Sequence, residues 1–490
     1  MNKNDDKIFL KTLLKEGLFY LENKKLKSAI SKFEKILSYR PDNPQVLNLS
    51  GVSYHQLGNF DKAIYLIEKA IKHNSNEIGF YINLGNIFKD KKNYSSSIQA
   101  YSNALKINER SSEALYNFGV LYTDMHNFTK AIYYYEQTLK MDKKHKYAHD
   151  NLGSAYLELA KYQEAIKCYN KAISIDSNFI QAHFNLSLVL LLTSSAKHGW
   201  EEYEYRLKKD NYIKNRPFIN YKYWDGSSLD NKSLLIYCEQ GIGDNIQFAR
   251  YIKKIKKNNT KIILLCDNKL QILFKNILEI DLIIISDKNI PKIDYYVSLI
   301  SLPYIFRREQ IPETYKFLKP DKKNSLYWCS KLLTRKKIKI GLVWQGAKTH
   351  PEDYKRSIAL EKFKPLLELQ DIEFISLQKG FGREQIKSNK LEKIIIDFFE
   401  GIESFRDTLS IINNLDLVIT VDTAIAHIAS TMNKKTWIII SHVPDFRWGL
   451  KGSKTIWYDN VKLYRQKKIN NWNSVINDLE KDLIKKYNIK

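Results

Sequence analysis

The stretch Asn117-Phe-Gly-Val-Leu-Tyr-Thr-Asp-Met-His-Asn-Phe-Thr-Lys-Ala131 decides how the first third of this chain folds. Its glycine belongs to the series Gly17, Gly51, Gly85, Gly119 and Gly153, spaced 34 residues apart. Three positions after each comes Tyr20, Tyr54, Phe88, Tyr122 or Tyr156, and twelve after comes Ala29, Ala63, Ser97, Ala131 or Ala165. A phased period of this length predicts a helix–turn–helix unit that stacks on its own copies. The glycine lets the second helix approach the first, the small residue admits the first helix, and the aromatics fill the groove between them. An asparagine precedes the last three glycines, and Ser187, by two residues: Asn83, Asn117, Asn151 and Asn185. A carboxamide both donates and accepts, so these four predict a ladder that grips an extended polypeptide. Bonding to the neighbouring repeat is the other use open to them.

The interval is that of the tetratricopeptide repeat, and it predicts an α superhelix. Five repeats run from about residue 10 to 179, and a sixth starts at Ile180 with Ser187 for the glycine and Leu190 for the aromatic. The second helix of the sixth is rewritten as His198-Gly-Trp-Glu-Glu-Tyr-Glu-Tyr-Arg206. The expected division is a solenoid over 1–210 and a connecting segment over 211–230, marked by Pro217 and Trp224-Asp-Gly226.

The 490 residues suit about three domains. The net charge of +25 is mostly lysine, spread through both halves together with abundant Asn, Ile and Tyr. Without a compact basic run it describes solvated surface, and no nucleic-acid partner is expected. Cys168, Cys238, Cys266 and Cys329 lie too far apart for metal-ligand spacing, so no metal or other cofactor is expected from them. No apolar h-region opens the chain and no run reaches membrane-spanning length, which predicts a cytoplasmic protein without integral membrane association.

After residue 231 short β-branched runs alternate with amphipathic stretches, the pattern of a parallel α/β fold. Strands are expected at Ser233–Cys238, Lys261–Cys266, Leu282–Ile285 and Tyr295–Leu299. A second block has Ile338–Trp344, Ile372–Leu377, Lys393–Ile396, Leu415–Val421 and Thr436–Ser441, and Asn471–Tyr487 reads as a closing helix. Two Rossmann-like halves, 231–335 and 336–490, would face each other across a cleft.

Three sites carry chemistry. In Glu239-Gln-Gly-Ile-Gly-Asp244 a strand runs into Gly241 and Gly243 and then a helix. Asp244 stands there as an N-cap or as a general base facing the cleft, beside N–H groups suited to an anion. In Val421-Asp-Thr-Ala-Ile-Ala-His427 a buried strand ends, Asp422 and Thr423 open a helix, and His427 shares the face of Thr423. That combination predicts a phosphate site at the helix start. In Gly341–Ser357 a strand delivers Gln345 to its C-terminal end, and Lys348, His350, Lys355 and Arg356 follow on a basic loop placed for a diphosphate.

The segments EQGIGDNIQFARY, GLVWQGAKTH, FISLQKG, LDLVITVDTAIAHIAS, VPDFRWG and WYDNVKLYRQ resemble bacterial tetratricopeptide proteins with a glycosyltransferase-like C-terminal domain. That domain is similar to the heptosyltransferases and, more distantly, to O-linked N-acetylglucosamine transferase. The resemblance covers residues 200–490 and implies a GT-B architecture, acceptor on the first half and nucleotide-sugar on the second. It implies metal-independent, inverting transfer with Asp244 as base; were Asp244 only an N-cap, His350 and His427 would be next in line for that role. Asp422, Thr423, His427 and a cation of the Lys348–Arg356 loop would hold the donor diphosphate. The chain departs from similar fused proteins at Ala347, where they have Asn, and near Tyr354, where they have Arg, which bears on donor identity. A polypeptide in the repeat groove would be acceptor or recruiting partner. The rival reading is an adaptor whose transferase-like domain binds without catalysing.

Overall fold

A computed structural model describes residues 3–193, 196–209, 216–255, 259–306, 311–313, 315–332 and 337–489. The chain divides into two compact units, Met1–Asn185 and Leu186–Lys490.

The first unit is a stack of helical hairpins: α1 (Lys3–Glu22) with α2 (Leu26–Tyr39), α3 (Pro44–Gln56) with α4 (Phe60–His73), α5 (Ile78–Asp90) with α6 (Tyr94–Ile107), α7 (Ser112–Asp124) with α8 (Phe128–Met141), and α9 (Lys146–Glu158) with α10 (Tyr162–Ile175). The unit ends within α11 (Ile180–Leu192). Ala29, Ala63, Ser97, Ala131 and Ala165 are all fully buried. The glycines face a bulky residue sixteen positions on, in the second helix. A Cβ on Gly85, Gly119 or Gly153 would stand 2.3, 2.4 or 2.7 Å from the ring of Tyr101, Tyr135 or Tyr169. Each hairpin turn holds one residue in the left-handed region, at Lys24, Gly58, Lys92, His126 and Ala160. Asn59, Asn93 and Asn127 follow three of these and cap the next helix through the N–H groups of Lys62, Ser96 and Lys130.

The second unit holds two parallel sheets. The first contains β1 (Lys222–Tyr223), β2 (Ser233–Tyr237), β3 (Lys261–Leu265), β4 (Leu282–Ile284) and β5 (Tyr295–Ser298), in the order β1-β5-β2-β3-β4. The second contains β6 (Ile338–Val343), β7 (Ile372–Ser376), β8 (Ile395–Ile396), β9 (Leu417–Val421), β10 (Thr436–Ile440) and β11 (Val461–Arg465), in the order β11-β10-β9-β6-β7-β8. Apart from the short edge strand β1, each sheet starts in its middle, grows one way, and then reverses. The reversal falls between β2 and β5 in the first sheet and between β6 and β9 in the second. Loops diverge there at the carboxyl ends of the strands and leave a crevice. Four helices matter for the site: α12 (Ala196–Tyr203), α13 (Ile242–Phe248), α14 (Ala424–Thr431) and the closing α15 (Asn473–Tyr487).

The nine strands read from the sequence are all present, each within two residues at either end. Two more, β1 and β11, join the sheets. The solenoid boundary expected at 210 differs from the contact division at 185, because Trp200, Tyr203 and Arg206 are buried against the second unit's own elements. The segment expected to connect the parts contributes β1 and the buried Phe218 and Trp224 to the first sheet. Residues 210–215 and the expected boundary at 335–336 lie outside the described residues. Among the described residues no helix is long and apolar enough to cross a membrane.

Candidate functional site

The two crevices carry the residues that the sequence singled out. At the first, β2 ends and Glu239–Gly241 turn into α13. Asp244 lies in the first turn of α13, and its Oδ2 accepts the Gly241 N–H at 3.0 Å. The N-cap of α13 is therefore Gly241 and not Asp244, the residue expected there; Asp244 is the third helical residue, and its carboxylate reaches back to the cap N–H as in a capping box. Its other oxygen accepts from the Arg447 guanidinium, which comes from the short turn Phe446–Trp448 after β10. Burial raises the Asp244 carboxyl above its ordinary range and Asp445 adds to that, while Arg447 opposes both. Arg447 lies inside VPDFRWG, a segment quoted for its resemblance. Its partner could not be read from sequence, because the two residues are 203 positions apart.

The turn before Asp244 is held from beneath. Arg206 is fully buried and donates to Glu239, at 2.8 Å, and to Ser301, at 2.7 Å. It also reaches the Glu204 carboxylate and the Tyr203 carbonyl. Glu239 accepts from Ser298 as well, so the ends of β2 and β5 are pinned together across the first crevice. Tyr203 donates to the Gln240 side chain at 3.0 Å, and Gln240 is itself in the left-handed region. These contacts explain the rewritten segment 198–206: its polar and aromatic residues build the floor of the Gly241–Asp244 turn.

At the second crevice, Asp422 and Thr423 follow β9 and open α14. Thr423 is in hydrogen-bond reach of Thr420, 3.1 Å between hydroxyls, and its extended backbone leads directly into α14. The Asp422 carboxyl is pushed up to about 6, by burial first and by Asp445 next, against the pull of Trp448, Arg356 and Arg447. Arg356 donates to the Asp422 carbonyl at 3.0 Å and to Asp353, which ties the basic loop to the start of α14. Gln345 is locked by three amide contacts, two with Gln378 and one in which Gln385 donates to its Oε1 at 2.7 Å. Lys348 lies over the ring of Phe381, 4.8 Å from its centroid. His350 is exposed, and partial desolvation and the Arg356 charge depress its pKa against the influence of Glu352, Asp353 and Asp244.

The two crevices meet where α13 packs on α14. A Cβ on Gly243 would lie 2.7 Å from the His427 ring and 3.6 Å from the Ala424 Cα, so this glycine is what lets the helices touch. His427 is buried, stacks on Trp448, and pairs through Nδ1 with the Tyr458 hydroxyl at 3.0 Å. Burial and the neighbouring Arg447 and Arg250 push its pKa well down, so the ring is neutral. Arg250 from the first half donates to the Trp457 carbonyl at 2.7 Å and covers the Tyr458 ring. Trp200 of α12 sits edge-on to Phe248 of the first half and to Phe446 of the second. The structure thus brings Asp244, Asp422, Thr423, Arg356 and His427 to one seam and adds Arg447, Trp448 and Tyr458. Lys348 and Gln345 are engaged within their own loops. Among the described residues no cluster of His, Cys, Asp and Glu has the makings of a metal site.

The asparagine ladder of the first unit is bonded from repeat to repeat. Asn83 donates to Asn48, Asn151 to the Tyr116 hydroxyl and Asn185 to Asp150, each partner 35 positions earlier. The residue 35 before Asn117 is Ile82, which has no side-chain acceptor, and Asn117 makes no such bond. Three of the four amides thus direct one N–H each to the neighbouring repeat.

Family models described as TPR repeat match residues 85–125 and 153–193, and models described as tetratricopeptide repeat match 20–79 and 112–145. Among curated proteins, Protein FlbA of Caulobacter vibrioides is 23% identical over 313 residues, 58% of this chain and 52% of that protein. The chain thus spans about half the length of the curated relative it matches. Among solved structures, MamA is 25% identical, covering 33% of this chain and 94% of its own, at a TM-score of 0.30. Pseudomonas aeruginosa pilF is 17% identical, covering 42% and 93%, at 0.37. The N-terminal part of this chain carries tetratricopeptide repeats, an architecture that implies protein–protein interaction.

Proposed function

We propose that the second unit is a glycosyltransferase of GT-B type, which moves a sugar from a nucleotide-sugar to a protein or glycan acceptor by a metal-independent inverting displacement. The observation that carries this reading is the coincidence of two crevices. Each sheet reverses direction at one place, ligands of open α/β sheets bind at such places, and Asp244 and Asp422–Thr423 stand one at each. The donor diphosphate would lie at the start of α14, held by Thr423, backbone N–H groups and Arg356, where its growing negative charge is stabilised in the transition state. Asp244 would take the proton of the acceptor hydroxyl. The repeats would recruit the acceptor or a partner protein.

A second reading, a binding module without catalysis, is favoured by one observation: Asp244 is engaged by Arg447. Incubation with ADP-, UDP-, GDP-, CMP- and dTDP-sugars, followed by thermal unfolding, separates the two. A donor at 100 times its dissociation constant adds roughly 2.7 kcal/mol. Thr423→Ala and Asp422→Ala should abolish that stabilisation in a folded protein. Asp244→Asn should leave donor stabilisation in place and lower turnover by about 10²–10⁴-fold. If no nucleotide-sugar stabilises the protein, the donor site does not exist. If one does and Asp244→Asn turns over normally, the base lies elsewhere.

A further inference from the structure

The seam holds a conflict that the proposed chemistry has to resolve. A base must present a free carboxylate oxygen to the incoming hydroxyl. Asp244 instead has one oxygen on the Gly241 N–H and the other on the Arg447 guanidinium. The guanidinium opposes the burial that raises the Asp244 carboxyl, and it blocks one approach to the oxygen it touches.

Arg447 is poorly satisfied in this arrangement for a residue so deeply buried. Its Nη1 donates to Asp445 at 2.7 Å and its Nη2 to Asp244, while Nε, shielded from solvent, has no acceptor. An unfilled buried donor is disfavoured, and guanidinium donors suit phosphate oxygens in particular. Asp445 accepts both from the backbone N–H of Arg447 and from its guanidinium, so it anchors Nη1, while Nη2 is held by Asp244 and Nε is left to a further acceptor. The next residue, Trp448, stacks on His427, two turns or less from the Asp422–Thr423 start of α14. Arg447 therefore stands between Asp244 at one crevice and the start of α14 at the other.

We propose that Arg447 is shared between Asp244 and a diphosphate at the start of α14, so that diphosphate binding draws the guanidinium away and frees Asp244. Arg447 is then a positioning residue for Asp244 and a ligand of the diphosphate, and donor binds before acceptor. This inference rests on the donor-site reading given above. It converts the ion pair from an objection to catalysis into a safeguard, since no free base is exposed until the donor is in place.

The competition has a sign that a structural role would not produce. Inorganic pyrophosphate, titrated into the full chain by calorimetry, is the probe, and folding of each variant is checked by thermal melting. Arg447→Gln should weaken pyrophosphate binding about tenfold or more, the loss expected of a charge-assisted contact. Asp244→Asn should tighten it by several fold, because the guanidinium is released from its internal counter-ion. Arg447→Lys, with charge but no fork, replaces Arg447→Gln if the latter does not fold, and should weaken binding less. An Asp244→Asn variant that binds pyrophosphate no better than wild type overturns the sharing. If Thr423→Ala weakens binding in that case, the donor-site reading stands without it. Should Arg447 and Asp244 respond as stated while Thr423→Ala binds normally, Arg447 exchanges between Asp244 and an anion held away from the start of α14, which overturns the donor-site reading and the placement of the diphosphate at α14. Failure of wild type to bind pyrophosphate in the millimolar range overturns both.

Discussion

The repeat unit is held together by one contact made five times, and the α/β unit by contacts that are made once. In the first, a glycine against a bulky residue and a small residue against a helix recur every 34 positions. In the second, Arg206–Glu239, Asp244–Arg447 and His427–Tyr458 each join residues with no counterpart elsewhere. Repetition spreads stability over many small equivalent steps, as expected of a stack in which each repeat touches its neighbours. Singular contacts concentrate it at a few buried polar groups, where loss of one partner leaves the other uncompensated. On the proposed reading the same contrast would separate scaffold from chemistry, the unit with redundant contacts presenting surfaces and the unit with singular ones assembling a site.

The sharpest way to break the comparison is at Arg206. Arg206→Met strands the buried Glu239 carboxylate and leaves the half-buried Glu204 without its partner, and should destabilise the second unit by about 3–5 kcal/mol. Hydrogen exchange should show the loss in peptides from 216–306 and leave those from 60–140 unchanged. Partial recovery on adding Glu239→Gln would identify the stranded charge as the cause.

A repeat contact should matter less. Gly119→Ala gains about 1 kcal/mol of helix propensity, yet its Cβ meets the fully buried Tyr135 ring at 2.4 Å. Overpacking wins, with a net loss of about 1–2 kcal/mol by urea unfolding. Tyr135→Leu in the same chain should return part of it. A neutral Gly119→Ala would mean that the stack shifts to absorb a methyl group, and that the repeats are looser than their spacing implies.

Each unit also holds an aspartate whose carboxyl is pushed up to about 6, Asp150 in the first and Asp422 in the second. Burial is the main cause at both, and at Asp150 the Asn185 amide opposes it. For an acid raised in the folded state, the folded chain holds its proton longer than the unfolded one. Stability is then greatest below the unfolded value near 3.8 and falls as pH rises to about 6, after which it is level. Asp150→Asn keeps the size and the bond from Asn185. It should stabilise the first unit at pH 8 by about 2 kcal/mol and remove that part of the pH slope. An unchanged slope would assign the dependence to other groups.

The smallest effect belongs to the turns. Ala160 sits at φ +56°, where Gly58 occupies the equivalent turn. Ala160→Gly should stabilise the first unit by about 0.5–1 kcal/mol, since only glycine enters that region without strain. A loss instead would show that the unfolded-chain entropy of glycine outweighs the relief.

Much of the fold was legible because periodicity is a local property. The 34-residue interval located every hairpin, and β-branched runs located nine strands. The companion of the glycine was missed: the groove filler at Phe33, Ile67, Tyr101, Tyr135 and Tyr169 changes residue type, so no single letter runs through all five. The strand β1 was hidden by its length of two residues, and β11 by Lys462 and Arg465, which break both a continuous apolar run and a strict alternation. Asp244, Asp422 and Thr423 were legible because a strand end running into a helix start has a short-range signature. Arg447 and Tyr458 were not, since their roles come from partners more than 30 positions away.

The sequence by itself determined the repeat stack, the parallel character of the α/β region and the placement of acids at strand ends, all consequences of spacing along the chain. Tertiary structure alone decided that segment 198–206 serves the second unit, that Gly243 is a helix-packing glycine, and that Asp244 faces Arg447. Those outcomes depend on which side chains converge in a low-dielectric interior. There a buried charge or polar group must find a partner wherever the chain brings one, whatever the distance in sequence.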